Sequence, residues 1–181
     1  MKHGKRLLVG TMLLTLFLVN MAVPASAYVY NGHKWQSGYA EYQIDRYTIP
    51  SGWETQIYNA RGTWNAAASP FYFLQGSSTN TISYSSLGDY STLAITYKTY
   101  SGSSLSRCRV VFNSNLGPLW STSGQALHYD VQSVALHEFG HWLSLGHVND
   151  YDAVMYPTLG VSDVKRSLTS DERAGIQYIY P

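Results

Sequence analysis

The run His137-Glu138-Phe139-Gly140-His141-Trp142-Leu143-Ser144-Leu145-Gly146-His147 constrains this chain more than any other stretch of its 181 residues. It holds three of the six histidines, with a glutamate directly after the first. Four residues of α-helix advance the side-chain direction by about 400°, so His137 and His141 project from one face, a turn apart. Two imidazoles so placed suit one tetrahedral zinc ion at about 2.0–2.1 Å each. Glu138 points about 100° away, a poor direction for a ligand and a good one for touching a water held by the metal. His147 stands where an extended form of this motif puts its third ligand.

His-Glu-x-x-His alone occurs by chance in many proteins. The eleven-residue form is far more restrictive, and Ala153-Val154-Met155-Tyr156-Pro157 follows it, with the methionine eight residues after His147. With Asp150 between them, these segments resemble the zinc helix and Met-turn of the metzincins, and within that clan the matrixins, the matrix-metalloprotease family. Weaker likenesses extend the resemblance over nearly all of the chain beyond residue 27. Trp35 with Tyr39 to Ile44 is similar to the family's first strand, and Ala60 and Trp64 to positions on its first helix. Phe71-Tyr72-Phe73 resembles its next strand; Leu168 to Glu172 and Gly175 to Tyr180 resemble its closing helix.

The resemblance implies an α/β (α+β-like) metzincin catalytic domain: a twisted five-stranded mixed sheet with three helices, and the zinc helix at the floor of a cleft. It implies a zinc endopeptidase that hydrolyses peptide bonds with zinc-activated water. His137, His141 and His147 are the expected ligands of one catalytic Zn2+, Glu138 the general base, and Met155 an apolar floor under the histidines. An antiparallel edge strand of the sheet would pair with extended substrate, and Leu93–Tyr97 is the candidate. Substrate-binding residues are then expected at Leu93, Ala94 and Ile95, at Tyr156 and Pro157, and at Ser133. In matrixins the residue four before the first histidine limits the main specificity pocket. Ser133 is small, so a large apolar side chain just after the scissile bond is expected there. A catalytically silent zinc-binding interaction domain on the same fold is the alternative, and the presence of Glu138 argues against it.

The N-terminus reads as a signal peptide over residues 1–27. Lys2, Lys5 and Arg6 precede an apolar run from Leu7 to Val19, shorter than the roughly 20 residues of a bilayer span, and Ala25-Ser26-Ala27 is a small-x-small cleavage site. The expected mature chain, residues 28–181, is one domain, secreted and extracellular, with no retained membrane anchor. Without those three basic residues, nine Lys+Arg face eleven dispersed Asp+Glu. No basic patch suggests nucleic acid, so the expected partner is a protein or peptide substrate, met by a monomer. Five tryptophans and 45% hydrophobic residues suffice for a core.

The elements expected from periodicity are a strand at Tyr39–Ile44 and a helix opened by a Ser51/Glu54 capping box, with Trp53, Ile57, Ala60 and Trp64 on one face. Short strands follow at residues 71–74, 81–85, 93–97 and 107–113. Asp130 is the expected N-cap of the zinc helix, and Thr169 with Glu172 form a second capping box.

The chain departs from the family in several places. Animal matrixins commonly carry a propeptide whose cysteine caps the zinc; none is evident here, and activity is expected from Tyr28 onward. The single cysteine, Cys108, alternates with Val110 and Phe112 and reads as a buried apolar side chain. The family's second, structural zinc is not carried over, because His33 and His128 stand isolated. Asp150, Asp152, Asp171 and Glu172 read as solvated or as pins for the Met-turn and last helix, and Ca2+ stays undecided. The metzincin pattern has glycine seven residues after the first histidine, where the helix ends and the third ligand swings inward. Ser144 stands there instead. Either it adopts a left-handed conformation, at roughly 1 kcal/mol, or the helix runs on and turns at Gly146. The spacing from His147 to Met155 favours the first.

Overall fold

A computed structural model describes residues 28–181; the expected signal peptide lies outside them. The strands are β1 (Val29–Tyr30), β2 (Tyr39–Ile44), β3 (Tyr72–Gln75), β4 (Thr81–Ser85), β5 (Ala94–Ser101), β6 (Ser104–Asn113), β7 (Trp120–Ser121), β8 (Tyr129–Asp130) and β9 (Leu145–Gly146). The helices are α1 (Trp53–Asn65), α2 (Val131–Trp142) and α3 (Ser170–Ile179), with a short 3-10 turn at Ser114–Leu119.

Five strands form one mixed sheet in the order β3-β2-β4-β6-β5. Its first four run parallel and β5 runs antiparallel at the edge, the arrangement the family resemblance implied. β5 begins at Ala94, one residue later than expected, and reaches Ser101 because β6 starts early, at Ser104. The register jumps between Thr99↔Arg107 and Tyr100↔Leu105, leaving Ser106 as the extra residue of a bulge. The bulge explains why Leu105 and Cys108, three apart, share the buried face before Cys108, Val110 and Phe112 resume strict alternation.

The inner face of the sheet packs on α2. Tyr42 and Phe73 from the sheet meet Phe139 of α2 at ring-centroid distances of 5.4 and 4.8 Å, and Trp142 stands edge-on to the same cluster. α1 presents Trp53, Ile57, Ala60 and Trp64 to the core as its spacing requires. The Trp64 indole N–H donates to the Leu136 carbonyl at 2.8 Å, pinning α1 to α2.

The expected Ser51/Glu54 capping box does not form. The helix starts one residue later, after Gly52 in a left-handed conformation (φ 87°). Glu54 is then too early to reach back, and it pairs instead with exposed Arg46 at 3.0 Å. The other two caps form. Asp130 accepts from the Ser133 N–H at 2.9 Å, and Glu172 accepts from the Thr169 N–H at 2.7 Å. No helix among the described residues is long and apolar enough to cross a membrane.

Candidate metal centre

α2 supplies His137, Glu138 and His141, and its end supplies the turn that brings in His147. The Trp35 indole N–H caps the helix by donating to the Trp142 carbonyl at 2.8 Å. Ser144 then adopts φ 70°, the first of the two conformations left open by the sequence. Gly146 has a different task. It pairs with Val29 across β1 and β9, and a Cβ there would come within 2.9 Å of the Val29 side chain. Ser144 is fully buried with its hydroxyl unpartnered among the described residues, so only its backbone groups, bonded to the His141 carbonyl and the Asn31 N–H, hold it there.

The three imidazoles converge. Nε2 of His147 lies 3.2 Å from Nε2 of His137 and 3.2 Å from Nε2 of His141. Nδ1 of His137 faces the Val154 carbonyl at 2.8 Å, and Nδ1 of His141 the Leu145 carbonyl at 2.9 Å. A carbonyl only accepts, so each Nδ1 carries the proton and each Nε2 turns a bare lone pair inward. These two lone pairs meet the Nε2 of His147 at one point, where a cation can take all three nitrogens as donors. Tetrahedral zinc with Zn–N near 2.05 Å requires N···N separations of about 3.3 Å, so the donor set fits zinc. Burial pushes all three imidazole pKa values down, and the neighbouring histidines push His141, to about 3, and His147 further. All three are therefore neutral, the form that binds metal.

Glu138 is buried beside them. Its Oε2 accepts from the Thr96 hydroxyl of β5 at 2.6 Å. Burial pushes its pKa up to about 7, against the opposing pull of the Thr96 hydrogen bond and the Lys98 ammonium. Thr96 was not singled out from the sequence. The available signal was strand alternation: Thr96 sits on the expected edge strand and pairs with inward-facing Val110, so its side chain had to face α2.

Met155 is buried beneath the triad. Gly140, between the two helical histidines, lacks a Cβ where one would overlap Met155 Sδ and approach Trp64 to 3.1 Å. The Met155 N–H donates to Glu172 Oε1 at 3.1 Å, and its carbonyl accepts from Val148 N–H at 3.0 Å. Glu172 thus pins the turn to α3, one of the two roles read for it. Asp171 accepts from the Tyr28 backbone N at 2.8 Å, while Asp150 caps the Asp152 N–H at 3.1 Å. Among the described residues, only His137, His141 and His147 form a group of three potential metal ligands. His33 stacks on Tyr100 at 3.7 Å, and His128 bonds the Ala126 carbonyl. Cys108 is buried, with its thiol pushed up to about 12 by burial.

The triad and Glu138 open onto a cleft of about 660 Å³, and Leu93, Ala94, Ile95, Ser133, Tyr156 and Pro157 all line it. Ser133 is locked in its wall: its hydroxyl donates to Asp130 at 2.6 Å and accepts from Lys165 N–H at 2.7 Å. Arg166 grips the same buried Asp130 through Nε at 3.0 Å and Nη2 at 2.5 Å. One carboxylate thereby caps α2 and fixes the loop that closes the cleft below it.

Comparison with known proteins adds two findings. The sequence model of the Matrixin family matches residues 34–181. Individual relatives align over shorter stretches. Metalloendoproteinase 2-MMP of Arabidopsis thaliana is 49% identical over 51 residues, 28% of this chain and 14% of that protein. Metalloendoproteinase 1 of Glycine max is 44% identical over 52 residues, 29% of this chain and 17% of that protein. Matrilysin of Homo sapiens is 43% identical over 60 residues, 33% of this chain and 22% of that protein. The aligned part therefore spans less than a quarter of each of these three relatives.

Proposed function

The chain belongs to the matrixin family, and on that premise we propose that it is a secreted zinc-dependent endopeptidase with Glu138 as its general base. The observation that carries this reading is the convergence of three neutral imidazoles, through their Nε2 atoms, beside a buried carboxylate. His137, His141 and His147 would hold the metal. Zinc, when bound, supplies a Lewis acid that polarises the scissile carbonyl and acidifies a water. Glu138 takes the proton of the attacking water and returns it to the leaving amine. Its raised pKa suits both halves of that exchange, because a base near neutrality both accepts and releases a proton readily.

Substrate is read as an extended peptide. Among the described residues the outer edge of β5 has no strand beside it in the sheet, so a peptide can add there through backbone hydrogen bonds. Leu93, Ala94 and Ile95 would receive it, Tyr156 and Pro157 would form the opposite wall, and the pocket bordered by Ser133 would take a large apolar side chain after the scissile bond. Residues 1–27 would direct secretion and be removed, leaving Tyr28 at or near the N-terminus. The decisive experiment is Glu138→Ala. Zinc content by elemental analysis is expected to stay at one per chain, while turnover of an internally quenched peptide falls by about 10²-fold or more. Near-normal turnover, or a wild-type protein without zinc, overturns the reading.

A further inference from the structure

We propose that Lys98 is a specificity-determining residue that recognises an acidic side chain of the substrate on the N-terminal side of the scissile bond. This rests on the endopeptidase reading and adds to it a substrate class.

Lys98 lies two residues past Thr96 on β5, so both side chains face α2 and are separated by about 6.6 Å along the strand. Its cross-strand partner is Cys108, which is fully buried on that same inner face. The aliphatic stem of Lys98 therefore runs over the core and its ammonium emerges into the cleft. There it acts electrostatically on Glu138, His141 and His147. Thr96 touches Glu138, and Lys98 acts on His141 one turn later in α2, so β5 passes the helix from its middle toward its C-terminal end. Ser133, toward the N-terminal end of α2, is on the far side of Glu138. A peptide that puts the residue after its scissile bond in the Ser133 pocket puts the preceding residues along Lys98.

The charges of the cleft point to what Lys98 receives. Glu138 is the only carboxylate among the described residues lining it, and Lys98 and Lys165 are its cations. Lys165 is already engaged: its ammonium bonds the Tyr151 and Ala153 carbonyls and sits over the Tyr151 and Tyr156 rings. Lys98 has no hydrogen bond or ion pair among the described residues. A half-buried ammonium beside a site built for a dication is electrostatically unfavourable on its own. A substrate carboxylate offsets both costs at once. Desolvation, which already lowers the Lys98 pKa, strengthens the attraction of any anion that reaches it.

The test uses internally quenched peptides that differ only by Glu, Gln or Lys at each of the four positions before the scissile bond. For the wild type, kcat/KM is expected to favour Glu at least fivefold at one of those positions, and less so as salt rises. Lys98→Met should bring that ratio to near one, Lys98→Arg should keep it, and Lys98→Glu should invert it in favour of a Lys-containing peptide. Binding of the same peptides to Glu138→Ala protein, followed by fluorescence anisotropy, gives a second readout that needs no turnover. Cleavage with no Glu preference, or a preference unchanged in Lys98→Met, overturns the assignment of Lys98. Lys98-dependent binding of Glu peptides without cleavage by the wild type overturns the endopeptidase reading and leaves the acidic subsite standing.

Discussion

At the scale of single residues, three positions around the histidines carry consequences out of proportion to their size. Gly140 is required because Met155 Sδ fills the volume a side chain would take. Gly140→Ala overpacks that contact at about 1–3 kcal/mol, so the melting temperature should drop by several degrees; an unchanged melting curve would show that Met155 moves aside freely. Ser144 is a site where evolution left strain in place. Ser144→Gly relieves a left-handed serine and removes a buried, unpartnered hydroxyl, and it should raise the melting temperature by a few degrees with zinc affinity preserved. A loss of zinc affinity would mean that the serine positions His147 in a way glycine does not. Thr96 hydrogen-bonds Glu138, the proposed base. Thr96→Val should lower kcat about tenfold with KM little changed, and Thr96→Ser should restore it; equal loss in both variants would assign Thr96 to packing alone.

At the scale of elements, α3 supports the metal centre from a distance. Both oxygens of Glu172 accept from donors, the Met155 N–H on one side and Thr169 on the other. Glu172→Gln puts an amide NH2 against one of those donors and costs about 1–3 kcal/mol, read as a lower melting temperature and faster zinc loss to a chelator. This is also where sequence reading reached its limit. The zinc helix, the Asp130 cap and the Thr169/Glu172 box were legible because each rests on a local spacing. The Met155–Glu172 bond, the Asp130–Arg166 grip and the β1–β9 pairing join residues far apart in the chain, and no local spacing encodes them. Local spacing also misled once, at Ser51 and Glu54, because it cannot register that Gly52 takes the chain through a left-handed bend before the helix begins.

At the scale of the whole molecule, the desolvated neutral histidines couple metal to folding. Their folded pKa values lie below the unfolded value of about 6.5. Their contribution to stability is therefore present above pH 6.5 and is lost as pH falls toward the folded values, because the unfolded chain then binds the extra protons. Glu138, with its raised pKa, works in the opposite sense between its ordinary value of 4.5 and about 7, but one carboxyl faces three imidazoles. Chelator-treated protein should melt at progressively lower temperature as pH falls below about 6.5, and zinc should suppress that loss until protons displace it. A flat profile for the metal-free protein would contradict the lowered pKa values of the triad.

The bond between Glu172 and the Met155 N–H also fixes an order of events in the life of the chain. The three histidines and the turn beneath them leave the ribosome before α3 does, so the carboxylate that pins the turn appears after them. A nascent or threading chain thus displays the ligands without the floor that holds them in register. The metal centre is therefore expected to gain its full rigidity only once α3 has been made and has docked against the turn.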